Sequence, residues 1–257
     1  MSQVVDAIAP PRFGHAFRRL LTSAWASDLG DGVALAAGPL LVVSLTRDPF
    51  LVALATLLQR LPWLVFGLYA GVVADRYDRR MVIVVANAVR AAVLAVVAVM
   101  IVTDTLTVAV VLVVLTVLGS AEVFVDTTGQ TLLPMLVDRE DLGVANSRLM
   151  FGRITINRLG GPALGALLFA AGAAVPFVLQ AVCVTFAALV IRSIAIDRPP
   201  APGDHASVRS EIAAGLRWVW SHAAIRTLTI TILAFNITFG AAWAILVLYS
   251  VERLGLG

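Results

Sequence analysis

The chain contains no lysine: all 19 of its basic side chains are arginine. A GC-rich genome is enough to explain that, and no function follows from it. Cysteine is nearly absent too. A single one, Cys183, sits in an apolar run, which excludes a disulfide framework and a cysteine zinc site and leaves a buried packing thiol. Charge is scarce: 14% of the 257 residues are charged and 60% are hydrophobic, whereas a soluble domain carries closer to a quarter charged residues. With a mean hydropathy of +0.95, the chain reads as an all-α, multi-pass membrane protein. The net charge of +3 does not make it a nucleic-acid binder, because where the arginines sit matters more than their sum. No phosphate loop is present, and His15, His205 and His222 all fall in polar segments. The sequence therefore offers no cofactor, no metal site and no catalytic constellation, and reads as no enzyme.

What is there is a series of apolar runs. Residues 1–19 form a polar tail with Pro10-Pro11 and three arginines, expected on the cytoplasmic side. A cleaved signal peptide fits poorly, since Asp28, Gly30, Asp31 and Gly32 interrupt the apolar core it would need. Six spans are predicted within residues 20–196: 20–45, 50–74, 81–102, a fourth ending near Leu133 with Pro134 opening the next loop, a fifth from about Ala145 to Gly172, and a sixth from Val175 to Ile194. A cytoplasmic linker covers 197–226, and a seventh span, Leu228 to Val251, lies in 227–257.

Arginine placement sets the orientation. With the N-terminus inside, Arg12, Arg18, Arg19, Arg76, Arg79, Arg80, Arg139, Arg148, Arg192, Arg198, Arg209, Arg217 and Arg226 are cytoplasmic, while Arg47 and Arg253 are outside. That imbalance is the positive-inside pattern. Within the linker, Ser207 to Arg226 places Ile212, Leu216 and Val219 on one helical face, with Ser207 or Ser210 available as a cap. Trp218 and Trp220 suit a connector helix resting at headgroup level.

Polar groups inside the spans carry the functional content. Asp28 and Asp31 share a face of the first span, and Glu122 and Asp126 share a face of the fourth. An ionised side chain at mid-membrane costs about 2.5–3.5 kcal/mol, so these acids need partners or water. Arg60, Arg90, Arg153 and Arg158 are the candidate partners. Two readings stay open: ion pairs that merely hold the bundle together, or at least one carboxylate that takes up and releases a proton. The fifth span adds Gly161, Pro162 and Gly165 at helical spacing, which permits close helix contact and a bend.

Between the second and third spans runs Gly71-Val72-Val73-Ala74-Asp75-Arg76-Tyr77-Asp78-Arg79-Arg80. This Gly-x-x-x-Asp-Arg-x-x-Arg-Arg turn, the phrase Leu133-Pro134-Met135-Leu136-Val137 followed by Leu142 and Ala145-Asn146, the Gly-Pro-x-x-Gly of the fifth span, and the seventh span with Asn236 and Gly240 together resemble the major facilitator superfamily. The closest likeness is to its bacterial efflux branch of drug, macrolide-type and siderophore exporters. Three departures stand out: Asp78 where the family often has glycine, a fourth span without the arginine often found there, and seven spans where the family has twelve.

The resemblance implies a six-helix N-terminal bundle, a linker helix and one helix of a second half, in a cell membrane. It implies a proton-coupled antiporter expelling a small amphipathic molecule, with protons, that substrate and the lipid bilayer as partners and no nucleic acid. It also implies a cavity between two halves, so that a chain ending after the seventh span is expected to be a truncated or partial transporter needing the missing half or another protomer. Asp75 with Arg76, Arg79 and Arg80 is expected to order the loop and neighbouring helix ends. The acids of the first and fourth spans are expected to converge on the cavity with Arg60 as their positive neighbour. Asp31, deeper than Asp28 and placed after Gly30 as in the family's Gly-Asp, is the expected titrating group. A non-transporting receptor or scaffold would fit the helices but leaves the intramembrane acids unexplained, and a membrane-embedded enzyme lacks its residues.

Overall fold

The computed structural model describes residues 13–194 and 208–254. The first part of the tail, the start of the linker with Ser207, and the last three residues lie outside the described residues. Among the described residues the chain is helical with no strand. The helices are α1 (Gly14–Leu45), α2 (Pro49–Arg76), α3 (Arg79–Val102), α4 (Val108–Leu136), α5 (Leu142–Ala171), α6 (Val175–Arg192), α7 (Val208–Ser221) and α8 (Ala223–Leu254). The first six are long and apolar enough to cross a bilayer, and the α7–α8 pair supplies a seventh candidate. The chain is a multi-pass membrane protein.

Local chemistry places the boundaries. Asp48 accepts a hydrogen bond from the Phe50 N–H at 2.9 Å and Pro49 stands at the first turn, so α2 starts where an unpaired N–H would otherwise be lost. Thr107 caps α4 by accepting from the Val110 N–H at 3.4 Å. Two boundaries differ from the sequence reading. Helix α1 begins at Gly14, inside the segment read as a tail, because Phe13 and Phe17 are buried in the core and carry the helix past Arg18 and Arg19. Helix α4 runs through Pro134 to Leu136; a proline so near the end forfeits one backbone bond without stopping the last turn.

The linker helix also differs. Residues 207–226 read as one helix, but the chain bends by 100° between Ser221 and Ala223. His222 makes the corner: its N–H donates to the Trp218 carbonyl at 3.2 Å, and its own carbonyl accepts from the Arg226 N–H at 2.8 Å. Residues 223–226 thus belong to the membrane helix. The chain divides into two compact units, 1–204 and 205–257.

In the first unit α6 packs between α1 and α3, α5 lies along α1, and α4 packs on both α2 and α3. Two apolar clusters fill the interior. One gathers Phe13, Phe17, Leu20, Ile83, Leu132 and Ile191 near one end. The other gathers Leu41, Val42, Leu94, Val97, Val111 and Phe177 toward the opposite end. Between them the buried residues turn polar: Ser23, Ser27, Asn87, Arg90 and Gln180. The outward faces stay apolar, with Leu64 84% and Leu167 70% exposed, as lipid-facing surfaces are.

The α1–α5 seam is unusually close. A Cβ added at Gly161 would stand 2.5 Å from the Gly32 Cα, and one at Gly165 would stand 2.2 Å from the Val33 carbonyl oxygen. Backbones approach this closely only where side chains are absent. Helix α5 is continuous but changes winding: Arg153–Gly160 forms an eight-residue π-helical stretch. Such stretches are rare and usually single turns.

Candidate functional site

The polar layer is built around Asp31 on α1. Its Oδ1 accepts from an Arg90 guanidinium nitrogen of α3 and from Gln180 Nε2 of α6 at 3.1 Å. Its Oδ2 accepts from Ser27 Oγ, one turn back, at 3.2 Å. Arg90 also donates to Ser27 Oγ at 3.3 Å and to Asn87 Oδ1 at 3.0 Å. The Arg90 side chain is 2% exposed and that of Asp31 15%. Three helices are thereby pinned at one level by one charge pair and its neutral donors, and a bidentate-capable guanidinium suits that task better than a point charge.

A second ion pair joins α5 to α4. Arg153, the first residue of the π-helical stretch, donates to Asp126 Oδ2 at 2.7 Å. One turn further, Asn157 Nδ2 donates to the Asp28 carbonyl oxygen at 3.2 Å. The widened winding thus presents two polar side chains of α5 to α4 and α1, while Gly161 and Gly165 hold the backbones together just beyond it.

These groups open onto a cavity of about 500 Å³ lined by Asp28, Asp31, Asn87, Asp126 and Arg153, by the neutral polar Ser23, Ser27, Gln130 and Asn146, and by apolar residues of α1, α3, α4, α5 and α6. Asp28 and Asp31 of the first span and Asp126 of the fourth line this one space. Glu122 is not among the lining residues; Asp31, Arg90, Asp126 and Arg60 are the charges around it. The positive neighbour of Asp31 is Arg90 rather than Arg60. Arg60 lies exposed on α2, and neither it nor Arg158 makes a salt bridge among the described residues. Arg90 and Arg153 reach the acids directly from α3 and α5, whereas Arg60, exposed on α2, is a charge neighbour of Glu122 without a salt bridge.

Sequence reasoning missed Asn87, Gln180 and the π-helical stretch. The two amides had a usable signal, since each is a lone strongly polar side chain amid apolar residues of a span. The π winding had none in the residue types themselves.

The signature loop is tied down on three sides. Arg79 donates to Asp75 Oδ1 at 3.2 Å, to Thr131 Oγ1 of α4 at 3.1 Å and to Met135 Sδ at 3.0 Å. Arg80 donates to the Ile194 carbonyl beyond α6 at 2.7 Å and to Asp78 Oδ2 at 2.9 Å. Asp78, where the family often has glycine, caps α3 by accepting from the Arg80 N–H at 2.9 Å. The Arg80 hydrogen bond holds its carboxyl below the usual carboxylate range. Asp75 itself is 70% exposed, and a Cβ at Gly71 would meet nothing within 4 Å.

Comparison with known proteins gives this geometry its context. The chain is 35% identical over 134 residues to an uncharacterised MFS-type transporter of Mycobacterium bovis and, to the same extent, to one of Mycobacterium tuberculosis. The matched stretch covers 51% of this chain and 30% of each relative's length. Residues 6–256 match the transmembrane secretion effector family. A bundle of apolar helices, an arginine-rich turn after the second and an acid-lined interior accord with that match, and the chain belongs to the transmembrane secretion effector family of major facilitator transporters.

Proposed function

We propose that this chain is the working N-terminal bundle of a secondary transporter that expels a small amphipathic molecule across the cell membrane in exchange for protons, with its N-terminus in the cytoplasm. The observation that supports this reading most is the acid-lined cavity: carboxylates from α1 and α4 facing one space of about 500 Å³ inside a membrane bundle. Buried acids are costly there, and a proton site is what makes the cost useful. In this reading Asp31, fixed by Arg90, Gln180 and Ser27, sets the local field, and a less constrained acid of the same cavity titrates. One proton charge moving inward down 100 mV supplies about 2.3 kcal/mol, enough for roughly fiftyfold accumulation of a neutral substrate coupled one to one.

The test is dye export in inverted membrane vesicles. An imposed proton gradient is expected to drive uptake of an amphipathic dye into the vesicles, and collapsing it with an uncoupler to stop uptake. Uptake indifferent to the gradient would sink the antiport reading. Orientation is checked separately in a Cys183→Ser background: Asp48→Cys and Thr105→Cys are expected to label from outside with an impermeant thiol reagent, and Tyr77→Cys and Gly203→Cys are not.

A further inference from the structure

The second unit of the chain has a geometry that the transport reading leaves unused. Helix α8 is 32 residues long, about 48 Å at about 1.5 Å per residue, so it crosses the roughly 30 Å hydrocarbon core without help from α7. The turn between the two helices is 100°. Membrane helices tilt by about 20° on average, so a helix bent that far from a crossing one lies within about 30° of the membrane plane.

Helix α7 suits that plane. At about 3.6 residues per turn Val208, Ile212, Leu216 and Val219 fall within about 80° of one another, while Ala214 and Arg217 stand on the opposite side. Leu216 is 46% exposed, and Trp218 and Trp220, which flank the apolar stripe, are 52% and 57% exposed. An apolar stripe left this open marks an interaction surface. The corner beside it is tied. His222 stacks on Trp218 with ring centroids 4.3 Å apart, its Nδ1 lies 2.8 Å from the Trp218 carbonyl oxygen, and Arg226 donates to the Trp220 carbonyl at 3.4 Å. Two indoles and an arginine are thereby gathered at one level, as at a headgroup layer.

Charge decides which surface fits the stripe. Residues 208–226 contain Arg209, Arg217 and Arg226 against Glu211 alone, and the next acid along the chain is Glu252. A neutral bilayer would take the apolar stripe and gain nothing from the arginines, whereas an anionic one takes both. We propose that α7 is an in-plane anchor that docks on an anionic bilayer surface, its apolar stripe at the acyl boundary and Arg217 and Arg226 held by the field of the lipid phosphates. The stripe supplies the attraction common to any bilayer, and the arginines make docking depend on anionic lipid and on salt. This anchoring depends on neither a transported molecule nor a proton.

The full chain, in a Cys183→Ser background, is reconstituted in nanodiscs of phosphatidylcholine alone or mixed with phosphatidylglycerol. Val219→Cys or Ala214→Cys is added, and the rate of modification by a neutral polyethylene-glycol maleimide is read at each. In the mixed discs Val219→Cys is expected to react at least about tenfold more slowly than Ala214→Cys. That protection is expected to fall about fivefold or more in phosphatidylcholine alone, and likewise in the mixed discs at high salt. Arg217→Gln and Arg226→Gln are each expected to remove about fivefold of it. A bimane on Val219→Cys is expected to be quenched by lipid carrying a shallow nitroxide, and one on Ala214→Cys is not. Equal rates at the two positions in mixed discs, or a bimane on Val219→Cys that lipid does not quench, overturns the proposal. The same protection in neutral discs or in neutral maltoside micelles also overturns it, because protein or bare apolar contact would then cover the stripe. So does full protection retained by both arginine variants.

Discussion

The two ion pairs inside this bundle do the same electrostatic job in different settings. In Asp31–Arg90 the arginine is buried, 2% exposed, while the carboxylate reaches the cavity at 15% exposure with Gln180 and Ser27 completing its shell. Asp126–Arg153 stands at the cavity wall with side chains 20% and 35% exposed, and its arginine is held out by a π-helical stretch. A pair whose arginine is buried, with neutral donors around it, is costly to separate. A pair open to a cavity can exchange partners with water, a proton or a ligand at little cost. From that difference the first pair is expected to weigh mainly on stability and the second to respond more to events in the cavity.

The sharpest way to break this comparison is to remove one arginine at a time. Arg90→Met leaves Asp31 buried without a counter-charge and is expected to cost about 3–5 kcal/mol in denaturant unfolding in micelles. Adding Asp31→Asn to it is expected to return most of that loss. If Arg90→Met is nearly neutral, the arginine is not buried as described. Next in size comes the seam that sets the π-helical stretch against α1. Gly165→Ala puts a methyl where 2.2 Å separates it from the Val33 oxygen, and the helices must part, at about 1–3 kcal/mol. Gly71→Ala, facing open space, is the control and is expected to stay within about 0.5 kcal/mol. Arg153→Met is expected to cost about 1 kcal/mol or less in stability while changing the pH dependence of dye binding. Equal stability losses for Arg90→Met and Arg153→Met would erase the distinction.

Much of this arrangement was legible in the residues. Long apolar runs punctuated by Asp48-Pro49, the Asp75–Arg80 turn and Gly172 mark the spans, because a bilayer forces every backbone group into a helix. The spacing of Asp28 with Asp31 and of Glu122 with Asp126 fixes which faces turn inward. Which arginine meets which acid was not legible. Arg60 and Arg90 are equally plausible from spacing, and only the packing of α3 against α1 and α6 selects Arg90. The glycines of α5 announced close contact but not its partner, since Gly32 is one of several small residues on α1. The bend at His222 was hidden for a related reason: the periodic pattern of α7 runs on into α8, and a corner held by one backbone turn leaves no trace in hydropathy.

The smallest expected effect lies at the membrane edge, where the loop departs from the family pattern. Asp78 caps α3 and pairs with Arg80, which in turn holds the carbonyl of Ile194. Glycine at an N-cap costs only a few tenths of a kcal/mol relative to aspartate, so Asp78→Gly is expected to lower stability at pH 7 by about that much plus a weak surface pair, under roughly 1 kcal/mol together. The pH dependence gives the effect a signature. The Asp78 carboxyl is held below its ordinary value by Arg80, so its contribution is present above the unfolded-state pKa of about 3.9 and fades as pH falls through the lower folded value. The gap between the unaltered chain and Asp78→Gly is therefore expected to be constant from pH 7 to about 5 and to close below about 4. A gap that persists at low pH would mean the residue acts through backbone geometry alone. A gap that widens there would mean that the loop, unlike the Asp31–Arg90 pair, is held by something other than this charge.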